Sequence, residues 1–308
     1  MTDNRPSETD TTPAMRRITR LLVAGDATDG DPDSILYLHT VMCQTGLPYR
    51  NPGDDVREWE RVNGAVHMAV TAGKAMHPEL GRFVSLGLPY GPKPRLLLAY
   101  LNAEALRQQS PVIEVERSLT GFVRAMQMDP TGRNIATIKD QLARLSGAHI
   151  TLGIARDGEA ITVKSDIISA FSLWWPKDDR QRVLWPSTVR LSADYFDSLT
   201  RHAVPLHDRA LMALSGSAMG LDVYAWLAQR LHRIEPGKRV FIPWPALQTQ
   251  FGWHYDRLRD FRRAFTLTVR LVRSQYRAAN IELDQRGMTL WHSLPPVKGR
   301  TSIIVRTA

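Results

Sequence analysis

The most distinctive chemistry in this sequence is cationic. Between Tyr255 and Ala278 the residue pattern predicts one long helix. Placed at 100° steps, Leu258, Phe261, Phe265, Val269, Val272 and Tyr276 fall on one apolar stripe. Arg259, Arg262, Arg263, Arg270, Arg273 and Arg277 form a second stripe, roughly 110° away by the same helix geometry. Ala264, Leu267 and Leu271 give a third, weaker apolar side. A helix held on two sides, with guanidinium groups between them, is suited to a DNA major groove about 12 Å wide. Arg257 and Arg259, in the first turn, are candidates for base-edge contacts. Arg262, Arg263 and Arg270 are candidates for phosphate contacts, which fix register without reading sequence. The same pattern also describes a bundle helix with a solvated charged face. Asp256 and Asp260 stand three residues before Arg259 and Arg263, where ion pairs form. No acid on the helix stands within four residues of Arg270, Arg273 or Arg277.

A second helix is predicted from about Ile135 to Ser146, with Ile135, Ile138, Leu142 and Leu145 facing inward. Its outward residues are Thr137, Asp140, Gln141 and Arg144, with Lys139 at the flank and Arg133 just before it. Such a face could contact DNA, form a dimer surface, or simply be solvated. Arg156 and Lys164 in a following hairpin, and Arg286 in a later one, are candidate backbone contacts.

The usual arrangements of catalytic residues are absent. There is no GxxxxGK[ST] loop, because Gly237–Lys238 is followed by Arg239 and lacks the upstream glycine. The nine histidines show no HExxH spacing and no histidine–apolar–histidine triplet. His202 and His207 have no cysteine nearby, and the pairs Asp54–Asp55 and Asp178–Asp179 sit in predicted loops. Cys43, the only cysteine, reads as a small buried hydrophobe in an apolar helix. The expectation is a binding protein with no metal or other cofactor.

The elements that position these groups can be read along 308 residues, about two domains of chain. The composition is globular, with 43% hydrophobic and 23% charged residues, and it suggests a cytoplasmic protein without a membrane span or secretory signal. The net charge of +9 is unevenly distributed. Residues 182–308 hold 19 Lys/Arg against 9 Asp/Glu, a net of +10, and 17 of those cations are arginine. A basic, arginine-rich half points to a polyanionic partner, with nucleic acid the first candidate. Residues 1–31 read as a disordered or poorly ordered tail, with a short helix around Arg16–Leu22.

Ile35–Met42 reads as a helical patch, followed by strands at Val66–Val70 and Val84–Leu86. A helix at Pro94–Gln109, a strand at Val112–Val115, a helix at Leu119–Met128, the Ile135 helix, and an Asp157–Gly158 hairpin complete a first unit over 32–176. The order recurs over 182–298. There a strand around Val189 leads to a Ser192-capped helix, then a long helix at His207–Arg233 and a strand at Val240–Ile242. Trp244–Phe251 forms a short helix, followed by the arginine helix and a hairpin at Ile281–Trp291. The expected fold class is α+β, with two tandem winged-helix domains.

Several segments resemble plasmid-encoded RepA replication initiator proteins. These are Leu88-Pro-Tyr-Gly-Pro-Lys-Pro-Arg-Leu-Leu-Leu-Ala-Tyr-Leu101 with Glu104–Ala105, Ile35–His39 with Gly46–Pro48, and Glu60–Arg61 with Asn63–Gly64. Later come Ile242–Leu247, Gln250–Gly252, Tyr255, Phe261–Phe265 and Ser293–Val297. The ordered set spans about residues 32–298, and one departure is a single glycine in Gly132–Arg133–Asn134 where the family has a glycine-rich turn. The resemblance implies tandem winged-helix domains that bind repeated double-stranded origin sites (iterons), open an adjacent AT-rich segment and recruit the host initiator and helicase. It implies no nuclease or ATPase activity, and a homodimer that represses where the monomer initiates. A winged-helix repressor without a replication role has the same residue pattern. An origin-nicking enzyme is the reading from another class.

Overall fold

A computed structural model describes residues 35–77, 80–114, 123–124, 129–156, 159–165, 167–170 and 188–297. The expected N-terminal tail and its short helix lie outside them. Of the expected helix at 119–128, only Val123 and Arg124 are described; both are helical, and Val123 is fully buried.

The first elements are β1 (Ile35–His39) and α1 (Thr40–Gln44), so the expected helical patch is half strand. The apolar residues at 35, 36 and 38 fit either period. Their partner decides the matter, because β1 pairs antiparallel with a strand more than 160 residues later. Next come β2 (Glu58–Asn63), β3 (Val66–Thr71), β4 (Lys74–His77) and β5 (Arg82–Ser85). β2 and β4 were not read from the sequence. β2 exposes every second residue and has no long apolar run.

The expected helix becomes α2 (Pro92–Gln108), with prolines in its first turn where no N–H donor is needed. β6 (Val112–Glu114) precedes α3 (Gly132–Gly147), whose first turn is capped by the Thr131 hydroxyl accepting from the Asn134 N–H. β7 (His149–Arg156) and β8 (Glu159–Ser165) form the expected hairpin, in register from Ile150↔Ser165 to Arg156↔Glu159. β9 (Ile168–Ala170) and β10 (Thr188–Leu191) follow.

Ser192 caps α4 (Ala193–His202) as expected. The predicted long helix at 207–233 is instead the end of β11 (Ala203–His207), then α5 (Asp208–Ala213) and α6 (Ala218–Arg230). The helix breaks around Gly216, and Gly220 lies within α6, its N–H bonded to the capping Ser217 hydroxyl. β12 (Arg239–Pro243), α7 (Trp244–Phe251), α8 (Leu258–Gln275), β13 (Ile281–Leu283) and β14 (Gly287–Trp291) complete the order.

The result is an α+β fold. Its sheets run β2-β3-β7-β8, β6-β10-β9 and β12-β14-β13, with two-stranded pairs β1-β11 and β4-β5. Three of these pairings, β1 with β11, β6 with β10 and β9 with β10, cross the expected boundary at residues 177–181. A single cluster of buried residues runs from Leu36 to Leu290, with Cys43 among them. None of the described helices is long and apolar enough to cross a membrane.

Candidate nucleic-acid interface

α8 is built on an aromatic platform. Phe261 and Phe265 are fully buried, and Val269 and Val272 are buried beside them. The Phe261 and Phe265 rings meet Trp244 edge-on, at 6.2 and 6.0 Å, and Phe251 packs 5.5 Å from Phe265. Gly252 follows the last turn of α7, and a Cβ there would strike the Phe261 ring. The packing fixes the roll of α8 and so decides where its cations point.

Arg257, Arg259, Arg263, Arg270, Arg273 and Arg277 are all exposed. Arg257 occupies the position just before the first turn. Arg259 makes a solvated contact with the adjacent Asp260, Nε to Oδ1 at 3.4 Å, in place of the expected i+3 pairs. Exposed pairs of this kind contribute little. Arg263, Arg270 and Arg273 have no ion pair among the described residues. Arg262 is half-buried and lies over the Trp244 ring, 5.1 Å from its centroid.

β13 and β14 stand beside this face. Trp244, Arg262, Arg263, Thr266, Leu267, Arg270, Leu283 and Asp284 line an open groove of about 500 Å³. The hairpin turn is held by Asp284, whose carboxylate accepts from the N–H groups of Arg286 (2.7 Å) and Gly287 (2.8 Å). These donors hold its pKa below the usual carboxylate value. Gly287 passes so close to the Ile242 carbonyl that a Cβ would clash. The Arg286 side chain is 81% exposed, with its Nε 3.7 Å from Asp284 Oδ2 and its guanidinium over the Phe241 ring at 5.6 Å.

α3 departs from its sequence reading. Arg133 is exposed, Lys139 is half-buried, and Thr137 turns its hydroxyl back to the Arg133 carbonyl at 2.9 Å. Gln141, expected to face outward, is 1% exposed; its side-chain oxygen accepts from the Tyr90 N–H (2.8 Å) and its amide donates to Asp140 (2.8 Å). Arg144 has a 12% exposed side chain, bonded to Asp140 (2.9 Å) and Asp54 (3.2 Å), and lies over the Tyr90 ring. Both residues brace the Leu88–Gly91 loop, and their polar groups are already committed. A helical wheel places them outward, but cannot show a loop 50 residues earlier folding over that face. Arg156 ends β7, and its side chain lies outside the described residues.

The sequence reading also missed a buried ion pair. Arg95 on α2 meets Asp222 on α6 in a two-bond contact, Nε to Oδ1 at 2.6 Å and Nη2 to Oδ2 at 2.8 Å. The remaining guanidinium protons go to the carbonyls of Gly91 (2.7 Å), Leu47 (2.6 Å) and Pro48 (3.5 Å). Burial pushes the Asp222 pKa up, and Arg95 opposes the rise. The partners are 127 residues apart, beyond any local pattern.

The segment holding Leu88–Gly91, Arg95, Asp222 and Trp244 is the one that a family model recognises. The model of plasmid-encoded RepA protein matches residues 88–244, just over half of the chain. The chain belongs to the plasmid-encoded RepA family of replication initiators. No curated protein matches it. Two solved structures are similar to this RepA chain. One, of RctB domains 2-3, is 10% identical, covers 78% of this chain and 83% of its own, and has a TM-score of 0.47. The other, a selenomethionine derivative of domain 2 and domain 3 of RctB, is also 10% identical, covers 82% and 96%, and has a TM-score of 0.48. The matched RepA segment stops at Trp244, before α8 begins.

Proposed function

We propose that this RepA chain initiates plasmid replication by binding repeated duplex sites at an origin. α8 enters a major groove, and the β13–β14 hairpin lies along the backbone as a wing. In this reading 32–176 and 182–298 are two winged-helix modules, which act in the cytoplasm by binding rather than by catalysis. Arg257 and Arg259 approach base edges; Arg262, Arg263, Arg270 and Arg286 meet phosphates. Arg133, Thr137 and Lys139 give α3 a weaker contact, while Gln141 and Arg144 serve inside the protein. Opening of AT-rich DNA, recruitment of the host initiator and helicase, and a dimer that represses belong to the same reading by family resemblance.

One observation carries the proposal. The apolar stripe of α8 is buried from Phe261 to Tyr276 while Arg259, Arg263, Arg270 and Arg273 are exposed, with no carboxylate paired to Arg263, Arg270 or Arg273 among the described residues. Stacked cations repel one another unless an anion lies across them, and DNA supplies one charge about every 1.7 Å of axis.

DNase footprinting on the DNA flanking the gene, followed by salt titration, tests this. Protected, regularly spaced repeats are expected, with log affinity falling by about 0.9 per log unit of salt for each phosphate neutralised. Replacing Arg263 by Ala should weaken all sequences alike. Replacing Arg257 should narrow the gap between specific and random DNA by about 1–3 kcal/mol. Unchanged binding in both variants would overturn the assignment. A repressor would give the same footprint but could not sustain a plasmid carrying only this gene and its upstream DNA. A nicking enzyme would cleave supercoiled origin DNA or remain attached to it.

A further inference from the structure

The turn that leads into α8 is gripped by the other half of the chain. Arg61 on β2 donates from Nη2 to the carbonyls of Thr249 and Gln250 (2.9 Å to the latter), at the end of α7. Its guanidinium also lies over the Trp59 ring. Trp59 in turn meets Trp253 edge-on at 4.6 Å, while its own indole N–H donates to the Gly46 carbonyl at 2.8 Å. Tyr49 packs against Trp253 at 6.0 Å and against His254 at 5.4 Å. Gln250 donates to the Gln44 carbonyl at 3.2 Å. These contacts span about 190 to 206 residues of sequence, yet they converge on the few residues before α8.

This docking carries Arg50 to the same place. Arg50 follows Tyr49 directly and is exposed. Burial lowers the pKa of His254, and the Arg50 charge lowers it further. At Tyr255 burial raises the pKa, and Arg50 opposes the rise. Because the adjoining Tyr49 ring packs on His254 at 5.4 Å, the cation sits beside residues 254–255. The nearby acids do not take it up: Asp54 bonds to Arg144, and Arg50 has no ion pair with Asp55 or Asp256 among the described residues. From Arg257 to Arg273 the exposed arginines of α8 cover about 24 Å at 1.5 Å per residue. A positive group beside residues 254–255 stands at the N-terminal end of that run.

We propose that Arg50 is a DNA phosphate contact lent by the N-terminal half to the entry of α8, and that Tyr49, Trp59 and Arg61 are positioning residues that hold it there. The inference rests on the DNA-binding reading above. It assigns a contact to a loop that no helical or hairpin pattern marks.

The test uses the full chain and two duplexes of equal length, one cut from the segment the wild-type chain protects and one scrambled. Affinities are measured by fluorescence anisotropy over a series of salt concentrations. Arg50→Ala should weaken both duplexes by the same factor and reduce the salt slope by about 0.9, one phosphate's worth, while Arg50→Lys keeps the slope. Trp59→Ala, with unchanged circular dichroism at the assay temperature, should cost the same slope, and the double variant should lose no more than either single one. If Arg263→Ala lowers the slope but Arg50→Ala does not, this inference fails and the DNA-binding reading stands. If neither substitution changes the slope, that reading itself fails. Loss confined to the specific duplex would make Arg50 a base contact and overturn the phosphate assignment. A full Arg50 effect persisting in the Trp59→Ala background would remove the positioning role.

Discussion

Single side chains in this molecule do unlike jobs with the same chemistry. His39 ends β1 fully buried, and its Nδ1 accepts from the Val41 N–H at 3.2 Å. The proton therefore sits on Nε2, which donates to the Ser198 hydroxyl at 3.0 Å. That tautomer cannot take a proton from the serine, so the contact is an anchor rather than a nucleophile–base pair. Burial, aided by the His202 charge, lowers the His39 pKa from 6.5 to about 4. The unfolded chain then takes up a proton that the folded chain refuses. Stability from this group is complete above pH 6.5 and is lost as pH falls from 6.5 toward 4, by up to a few kcal/mol. Denaturant unfolding at a series of pH values should show the loss, and His39→Gln should flatten it. The arginines show how far residue type alone can be read. Their exposure on α8 was legible because the apolar stripe beside them has helical period. The burial of Gln141 and Arg144 was not, because it depends on a loop that covers them from elsewhere.

At the scale of elements, local signals succeeded where the element supplies its own reason to exist. The β7–β8 hairpin, the Ser192 cap and the Gly252 stop each reside in a few neighbouring residues, and the structure places them as expected, with the Asp157–Gly158 turn itself outside the described residues. β1 and β11 failed the same reading because each is a strand only by virtue of the other. The break near Gly216 turned a predicted single helix into α5 and α6 for a related reason: periodicity persists through a turn whose flanks share one core. The ion pair joining α2 to α6 yields a prediction at this scale. Arg95→Ala leaves Asp222 charged and buried, and should cost about 3–5 kcal/mol in urea unfolding. Arg95→Met combined with Asp222→Leu should cost less than Arg95→Ala, because no unpaired charge remains. Equal losses in the two would show that the pair acts only through packing volume.

The whole molecule divides its charge but not its core. Residues 182–308 carry all of the net positive charge, while the buried cluster among the described residues draws on both halves. Strand pairing across the expected 177–181 boundary means that a fragment starting at residue 182 would leave β11 and β10 without partners and expose Val204, Leu206 and Val189. Such a fragment should aggregate or melt well below the full chain, whose described body should unfold in a single transition by both circular dichroism and tryptophan fluorescence.

The β1–β11 ladder is centred on Tyr37 opposite Pro205, and each strand runs straight into a helix at its own histidine end. A local half-turn thus carries one strand onto the other inside a single polypeptide. Two separate molecules would have to collide to make such a junction, and would part on dilution. Here the tether makes it insensitive to concentration, so one copy at nanomolar levels keeps the spacing between its halves that a two-chain assembly would lose.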